Sequence, residues 1–131
     1  MGKHLEIVTW YTPDLPEPHF VARCRKEVDF MFKMLSDTKR KVIIQYLKDF
    51  TGNRIGCLVA YKAKDSNDIK IGWSALNTEK DRWNKYVGLF HAFRRSMYNY
   101  SENLPPVVYD EIGAFYDRCL KYFLNSATLV N

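Results

Sequence analysis

The stretch RIGCLVAYKAKDSNDIKIGWSAL, residues 54–76, limits the fold of this chain more than any other part of its sequence. It holds two runs rich in β-branched and aromatic residues, and the polar segment KDSND separates them. Two such runs around a short polar turn are typical of an antiparallel β-hairpin. Gly56 and Gly72 lie inside the two predicted strands, where glycine marks a bulge or the close approach of another backbone.

Helical patterns lie on both sides of the hairpin, with apolar residues three to four positions apart. The first begins at Pro18 and contains Phe20, Cys24, Val28, Met31 and Leu35. The second begins at Thr78, with Asp81 three positions later as in a capping box, and continues with Trp83, Val87, Phe90 and Met97. The third opens at Pro106 and contains Val108, Ile112, Phe115, Cys119 and Phe123.

Two other segments are less distinct. The run LEIVTWY, residues 5–11, alternates like a short strand and stops at a proline-bearing connector. Residues 38–50 suit either a helix or a strand, and the spacing of Ile43, Leu47 and Phe50 favours the helix. We therefore predict an α+β fold in which an antiparallel β-hairpin, with a third strand as the open alternative, packs against three or four helices.

The chain has 131 residues, of which 47% are hydrophobic, and this suffices for one core. A single compact domain is expected over residues 1–131, with 125–131 as a frayed tail. The three cysteines are odd in number and each lies in an apolar segment, which predicts reduced, partly buried thiols and a cytoplasmic setting. No apolar run reaches the ~18 residues of a membrane span, so no membrane partner is expected.

Motifs of catalysis and metal binding give no support for an enzyme. The sequence lacks G-x-S-x-G, a phosphate loop, H-E-x-x-H and a Cys/His ligand set. Asp110, Glu111 and Asp117 suit the dipole and the solvation of the last helix. His4 and His19 have no partner at catalytic or metal spacing. No catalytic residue, metal or cofactor is therefore predicted.

The helix from Thr78 carries a polar stripe with a glycine at its centre. Three-to-four spacing places five residues on one face: Lys80, Asn84, Gly88, His91 and Arg95. Glycine costs a helix about 1 kcal/mol relative to alanine. One explanation is a gap that admits a ligand, flanked by cations such as Lys85. The other is that Gly88, with Ala92 at i+4, lets a second helix pack closely.

The same region resembles a known group of proteins. The run IKIGWSALNTEKDRWNKYVGLFHAFRRS is similar to small tailed-phage proteins in which a glycine–aromatic–serine strand end leads into K-D-x-aromatic and a helix with glycine, alanine and arginine. The matching residues are Gly72, Trp73, Ser74, Lys80, Asp81, Trp83, Asn84, Lys85, Gly88, Ala92 and Arg95. The group looks similar to anti-Thoeris sponge proteins, oligomers that sequester cyclic-nucleotide-type immune signals without cleaving them.

This resemblance implies a non-enzymatic phage anti-defence protein in the host cytoplasm. It would capture a cyclic or ADP-ribose-type nucleotide as a homo-oligomer, with Gly88 and Ala92 as a site for close helix packing. The expected roles are phosphate neutralisation by Lys80, Lys85 and Arg95, reading of a base or ribose edge by Asn84, and stacking on Trp73 or Tyr98. Gly88 and His91 complete this expected site.

Two other classes of function stay open. A protein-binding inhibitor of a host or immune enzyme would use the aromatic residues Trp10, Tyr11 and Phe20. A small basic nucleic-acid-binding protein is compatible with the net charge of +5 and with interleaved aromatics such as Tyr98 and Tyr100.

Overall fold

The computed structural model describes residues 18–76, 82–98 and 103–125, apart from the side chains of residues 18, 98 and 125. In chain order its elements are α1 (Pro18–Asp37), β1 (Val42–Lys48), β2 (Arg54–Lys62), β3 (Ile69–Ala75), α2 (Lys85–Tyr98) and α3 (Pro106–Leu120), which continues into a π-helical turn (Lys121–Asn125). The predicted α+β fold is confirmed. The predicted strand at 5–11, its proline-bearing connector and the predicted frayed tail lie outside the described residues.

The three strands form one antiparallel sheet in the order β1-β2-β3. The predicted hairpin is confirmed as β2 and β3, with Leu58 opposite Trp73 and Val59 opposite Gly72. Its turn is closed by a hydrogen bond of 2.8 Å from the Ala63 amide to the Asp68 carbonyl. The sheet therefore has three strands, which was the open alternative to a two-stranded hairpin in the sequence prediction.

The helix favoured for residues 38–50 is wrong, because Val42–Lys48 is the strand β1. Ile44 packs against the first core cluster and Ile43 against the second, so both faces of β1 are covered by apolar groups. A strand covered on both faces loses the regular apolar–polar alternation that identifies it in a sequence. The β-branched run at 42–44 was the correct signal.

The sheet separates two apolar clusters. On one face, β2 contributes Cys57, Val59 and Tyr61, which pack against α1 and α2. On the other face, Leu58 and Ala60 pack with side chains of α3 and of the π-helical turn. The stripes predicted for α1 and α3 are confirmed in their buried members, which are Cys24, Val28, Met31 and Leu35, then Val108, Phe115, Cys119 and Phe123.

The helix α2 begins later than predicted. Its first residue is Lys85, and Arg82, Trp83 and Asn84 precede it in non-helical backbone. Asn84 is its N-cap, since Oδ1 accepts hydrogen bonds from the amides of Tyr86 at 3.0 Å and Val87 at 3.1 Å. The predicted capping pair Thr78 and Asp81 lies outside the described residues. Met97, predicted to be in the core, is 48% exposed.

All three cysteines are free and buried, as predicted. Burial raises the thiol pKa to about 12 for Cys24 and Cys57 and to about 11 for Cys119. These thiols therefore stay protonated at neutral pH and act as small apolar groups. None of the helices in the described ranges is long and apolar enough to cross a bilayer.

Candidate functional site

The described residues of the predicted ligand face on α2 are buried instead of facing solvent. His91 and Arg95 are each 4% exposed, and Gly88 is buried. Spacing in the sequence placed these residues on one face correctly, but it did not show which way that face points. An open cationic helix surface at these positions is therefore not what the structure contains.

The space above Gly88 is filled from within the chain. A Cβ at this position would lie inside the van der Waals distance of the Trp83 indole. Trp83 comes just before α2 and folds back over its first turn, against Tyr46 of β1 with ring centroids 6.2 Å apart. The structure gives Gly88 a third explanation, since the glycine accommodates an indole of the same chain.

A second glycine allows α2 to lie directly on β3. A Cβ on Gly72 would overlap the carbonyl group of Ala92, and it would lie 2.8 Å from the amide nitrogen of Ser96. The close backbone approach predicted for Gly72 is thereby confirmed. Ala92 is fully buried in this contact. Gly88 and Ala92 are thus both covered within one chain, which removes them as a helix-packing site between subunits.

Arg95 is a buried cation on an aromatic ring. Its guanidinium carbon lies 3.8 Å from the centroid of the Trp73 ring, and Nη1 donates a hydrogen bond of 3.2 Å to the Trp73 carbonyl. Trp73 is only 2% exposed. A guanidinium held in this way joins α2 to an outer strand of the described sheet, and neither residue is open to a ligand.

His91 lies beside aromatic rings and two arginines. The centroid of its ring is 5.1 Å from that of Phe90 and 6.4 Å from that of Phe20. Burial, together with the charges of Arg95 and Arg94, lowers the pKa of His91 to about 3. The imidazole is therefore neutral at physiological pH and adds no positive charge for an anion.

The remaining predicted site residues divide into three groups. The carboxamide oxygen of Asn84 caps α2, so this oxygen is engaged by the backbone. Lys80 and the side chain of Tyr98 lie outside the described residues, as do Trp10, Tyr11 and Tyr100. Lys85 is exposed at the start of α2, and its Nζ lies 5.6 Å from the Tyr86 ring centroid.

Around Lys85, the structure assembles an aromatic and basic cluster that sequence reasoning missed. We call it the aromatic–cationic end of the sheet. It consists of Arg25, Tyr46, Arg54, Trp83, Lys85 and Tyr86. Arg54 lies over the Tyr46 ring at 4.0 Å, and Arg25 lies over the Tyr86 ring at 5.3 Å. The Tyr46 ring also contacts Trp83 and interacts electrostatically with Tyr86, so the three partly exposed rings and the three exposed cations lie near one another.

Within the described residues, the charge of this end is largely uncompensated. Arg25 has an exposed ion pair of 4.0 Å with Asp29, while Arg54 and Lys85 have no acidic partner in the described part of the chain. The pKa of the Tyr46 hydroxyl is raised, chiefly by burial, and the Arg54 charge acts against this increase. An anion with a flat ring could contact both a guanidinium plane and a cation here.

Residues 18–76, 82–98 and 103–125 hold no group of three or more His, Cys, Asp or Glu side chains placed to bind a metal ion. The three acids considered at the last helix, Asp110, Glu111 and Asp117, are all exposed, and so is His19. His4 lies outside the described residues. Comparisons with protein-family models, with curated proteins and with solved structures found no match to this chain.

Proposed function

We propose that this chain binds an anionic nucleotide at the aromatic–cationic end and holds it without chemical change. The observation that supports this most directly is the exposed Arg54 guanidinium 4.0 Å from the Tyr46 ring. An arginine plane stacked on a ring offers its outer face to a base, and its N–H groups to phosphate. Lys85 and Arg25 lie on the neighbouring Tyr86 ring and add positive charge.

A binding role suits this cluster better than catalysis. No carboxylate, imidazole or thiol belongs to the cluster as a general base. The resemblance to sponge proteins gives the biological form of the proposal, in which a phage protein sequesters a cyclic or ADP-ribose-type immune signal in the host cytoplasm. A homo-oligomer of this kind needs a subunit surface other than Gly88 and Ala92.

The test is calorimetric titration with ADP-ribose, cyclic ADP-ribose and a cyclic dinucleotide. We expect saturable binding of at least one of them, and a loss of about tenfold in affinity in the double variant Arg54→Gln/Lys85→Gln. The matched control is Lys26→Gln/Lys121→Gln, which makes the same change in net charge at exposed positions. The control should lose less than about twofold in affinity, and the melting temperatures of both double variants should stay within a few degrees of the wild type.

Each other class of function gives a different result. The bound nucleotide should be recovered intact by mass spectrometry, whereas a cleaved product would indicate an enzyme. Binding to DNA or RNA that falls steeply with salt, together with no nucleotide binding, would indicate a nucleic-acid-binding protein. Full protection of phage by Arg54→Gln/Lys85→Gln in an immune host would contradict the sponge role and favour a protein-binding inhibitor.

A further inference from the structure

A second basic site lies at the opposite end of the sheet, where α1 turns into β1 and β2 turns into β3. An open groove of about 620 Å³ is lined there by residues 38–40 and 62–67. None of the residues considered so far for ligand binding belongs to it. Its volume lies within the ~300–1,000 Å³ range of small-molecule sites.

The charge in this groove is strongly one-sided. Four basic side chains line it, from Lys39, Arg40, Lys62 and Lys64, against the single carboxylate of Asp65. Within the described ranges, the ion pairs are Arg25–Asp29 and Lys33–Asp37, so none of these five groups is neutralised by an ion pair there. A concave surface of one sign concentrates counter-ions of the other sign.

Arg40 is fixed in the groove by both turns. Its Nε donates to Thr38 Oγ1 at 2.9 Å, and its Nη1 donates to the Lys62 carbonyl at 3.0 Å. Nη2 has no hydrogen-bond acceptor in the part of the chain that the structure describes. A guanidinium already held in place loses less conformational entropy when it binds an anion, and its planar fork matches phosphate.

Lys39 adopts a backbone conformation that is unfavourable for lysine. It follows the end of α1 with a φ of 58°, in the left-handed region. Helices most often place glycine or asparagine at such a position, because a larger side chain is strained there. Lys39 thus lines the groove at a cost in backbone energy that glycine would avoid.

We propose that this groove binds the phosphates of a small oligophosphate, with two or more phosphates in a chain. Each cation is solvent-accessible and contributes little alone, so affinity requires several charges to act together. Among the described residues, none that lines the groove is aromatic, and the Tyr61 ring 5.9 Å from Arg40 is buried. This separates the groove from the aromatic–cationic end, where a base could stack. The ligand is therefore recognised by its linked phosphates and not by a base.

The experiment is calorimetric titration with inorganic triphosphate, and with orthophosphate for comparison, at low salt. Triphosphate should bind saturably and about tenfold tighter than orthophosphate. Lys62→Gln/Lys64→Gln should lose about tenfold in triphosphate affinity, while the equal-charge control Lys26→Gln/Lys121→Gln should lose less than about twofold. Lys39→Gly should raise the melting temperature by about 4 °C through relief of strain, yet weaken binding by about threefold.

Two results would overturn this proposal. Equal losses in the groove double variant and in its control would show that net charge alone attracts triphosphate. Tighter binding of a single-stranded DNA 20-mer, lost in the same groove variants, would assign the groove to a polynucleotide.

Discussion

Arg95 and Arg54 both lie over aromatic rings, but in different surroundings. The guanidinium carbon of Arg95 is 3.8 Å from the centroid of the Trp73 ring, and that of Arg54 is 4.0 Å from the centroid of the Tyr46 ring. The first pair is almost completely buried, whereas Arg54 is exposed and Tyr46 is half-buried. Cation–π contacts stabilise by about 2 kcal/mol or more when desolvated and by about 0.5–1 kcal/mol at the surface. Burial, more than distance, therefore decides which arginine supports the fold and which can exchange its contacts for a ligand.

The contrast also bears on the sequence pattern from which the resemblance to sponge-like phage proteins was inferred. Its residues Gly72, Gly88, Ala92 and Arg95 all take part in packing α2 and Trp83 onto the sheet. Glycine is needed where backbones meet, alanine where space is small, and arginine where β3 is joined to α2. The pattern thus matches the requirements of this contact, and the proposed ligand contacts lie instead at exposed positions such as Arg54.

The largest expected effect tests the buried region at Gly72. The substitution Gly72→Ala places a methyl group on the backbone of Ala92, which cannot rotate away. We expect the free energy of unfolding to fall by about 3 kcal/mol, measured by urea denaturation. The control is Gly113→Ala in α3, where a Cβ meets no atom within 4 Å and helix propensity should add up to about 1 kcal/mol. Similar changes in both variants would mean that α2 does not lie on β3 as described.

The second prediction compares the two arginines directly. Arg95→Ala removes a buried cation–π contact and the hydrogen bond to the Trp73 carbonyl, so stability should fall by about 2–3 kcal/mol. Arg54→Ala removes an exposed contact and should cost at most about 1 kcal/mol. Urea denaturation of both variants measures the difference. Equal losses would remove the distinction between the buried and the exposed pair.

The third prediction follows from the burial of His91. The pKa of His91 is about 3 in the folded chain, whereas the ordinary value is 6.5. Between these two pH values the unfolded chain therefore binds one proton more than the folded chain. The stability due to the neutral imidazole is complete above pH 6.5. It is lost progressively as the pH falls toward 3, by at most about 1.4 kcal/mol per pH unit.

The window from pH 6.5 to 5.0 is the useful one, because carboxylates titrate mostly below it. Urea denaturation of the wild type should show stability falling across this window. His91→Gln, whatever its absolute stability, should show a shallower slope. An unchanged slope in His91→Gln would mean that another group is responsible.

Particular residues show how far the sequence predicts this structure. The stripe with Cys24 and Leu35 predicted α1 correctly, because one side of α1 meets the core and the other meets water. β1 was missed because apolar groups cover both of its faces. For Arg95, periodicity gave the correct face but not its direction, since a polar residue that is buried on a ring looks like a solvated one in the sequence.

The aromatic–cationic end could not be predicted from periodicity. Arg25, Tyr46, Arg54 and Tyr86 belong to α1, β1, β2 and α2, and only the folded sheet brings them together. The one signal for this region was Lys85, which was predicted as a cation beside the ligand face. The groove at the opposite end was hidden for the same reason, since its cations come from two separate turns.

The smallest expected effect tests whether Trp83 is the reason for Gly88. Gly88→Ala should gain up to about 1 kcal/mol in helix propensity, but the new methyl group displaces the Trp83 indole. Because the displacement costs more than the gain, we expect the free energy of unfolding to fall by about 1 kcal/mol. In a Trp83→Ala background the obstacle is absent, and the same Gly88→Ala substitution should stabilise the chain by up to about 1 kcal/mol. Urea denaturation of the four proteins forms a double-mutant cycle that isolates this contact. A loss of the same size in both backgrounds would mean that Gly88 is required by something other than Trp83. The reversal of sign would instead show that the Trp83 ring alone accounts for this glycine, with no ligand involved.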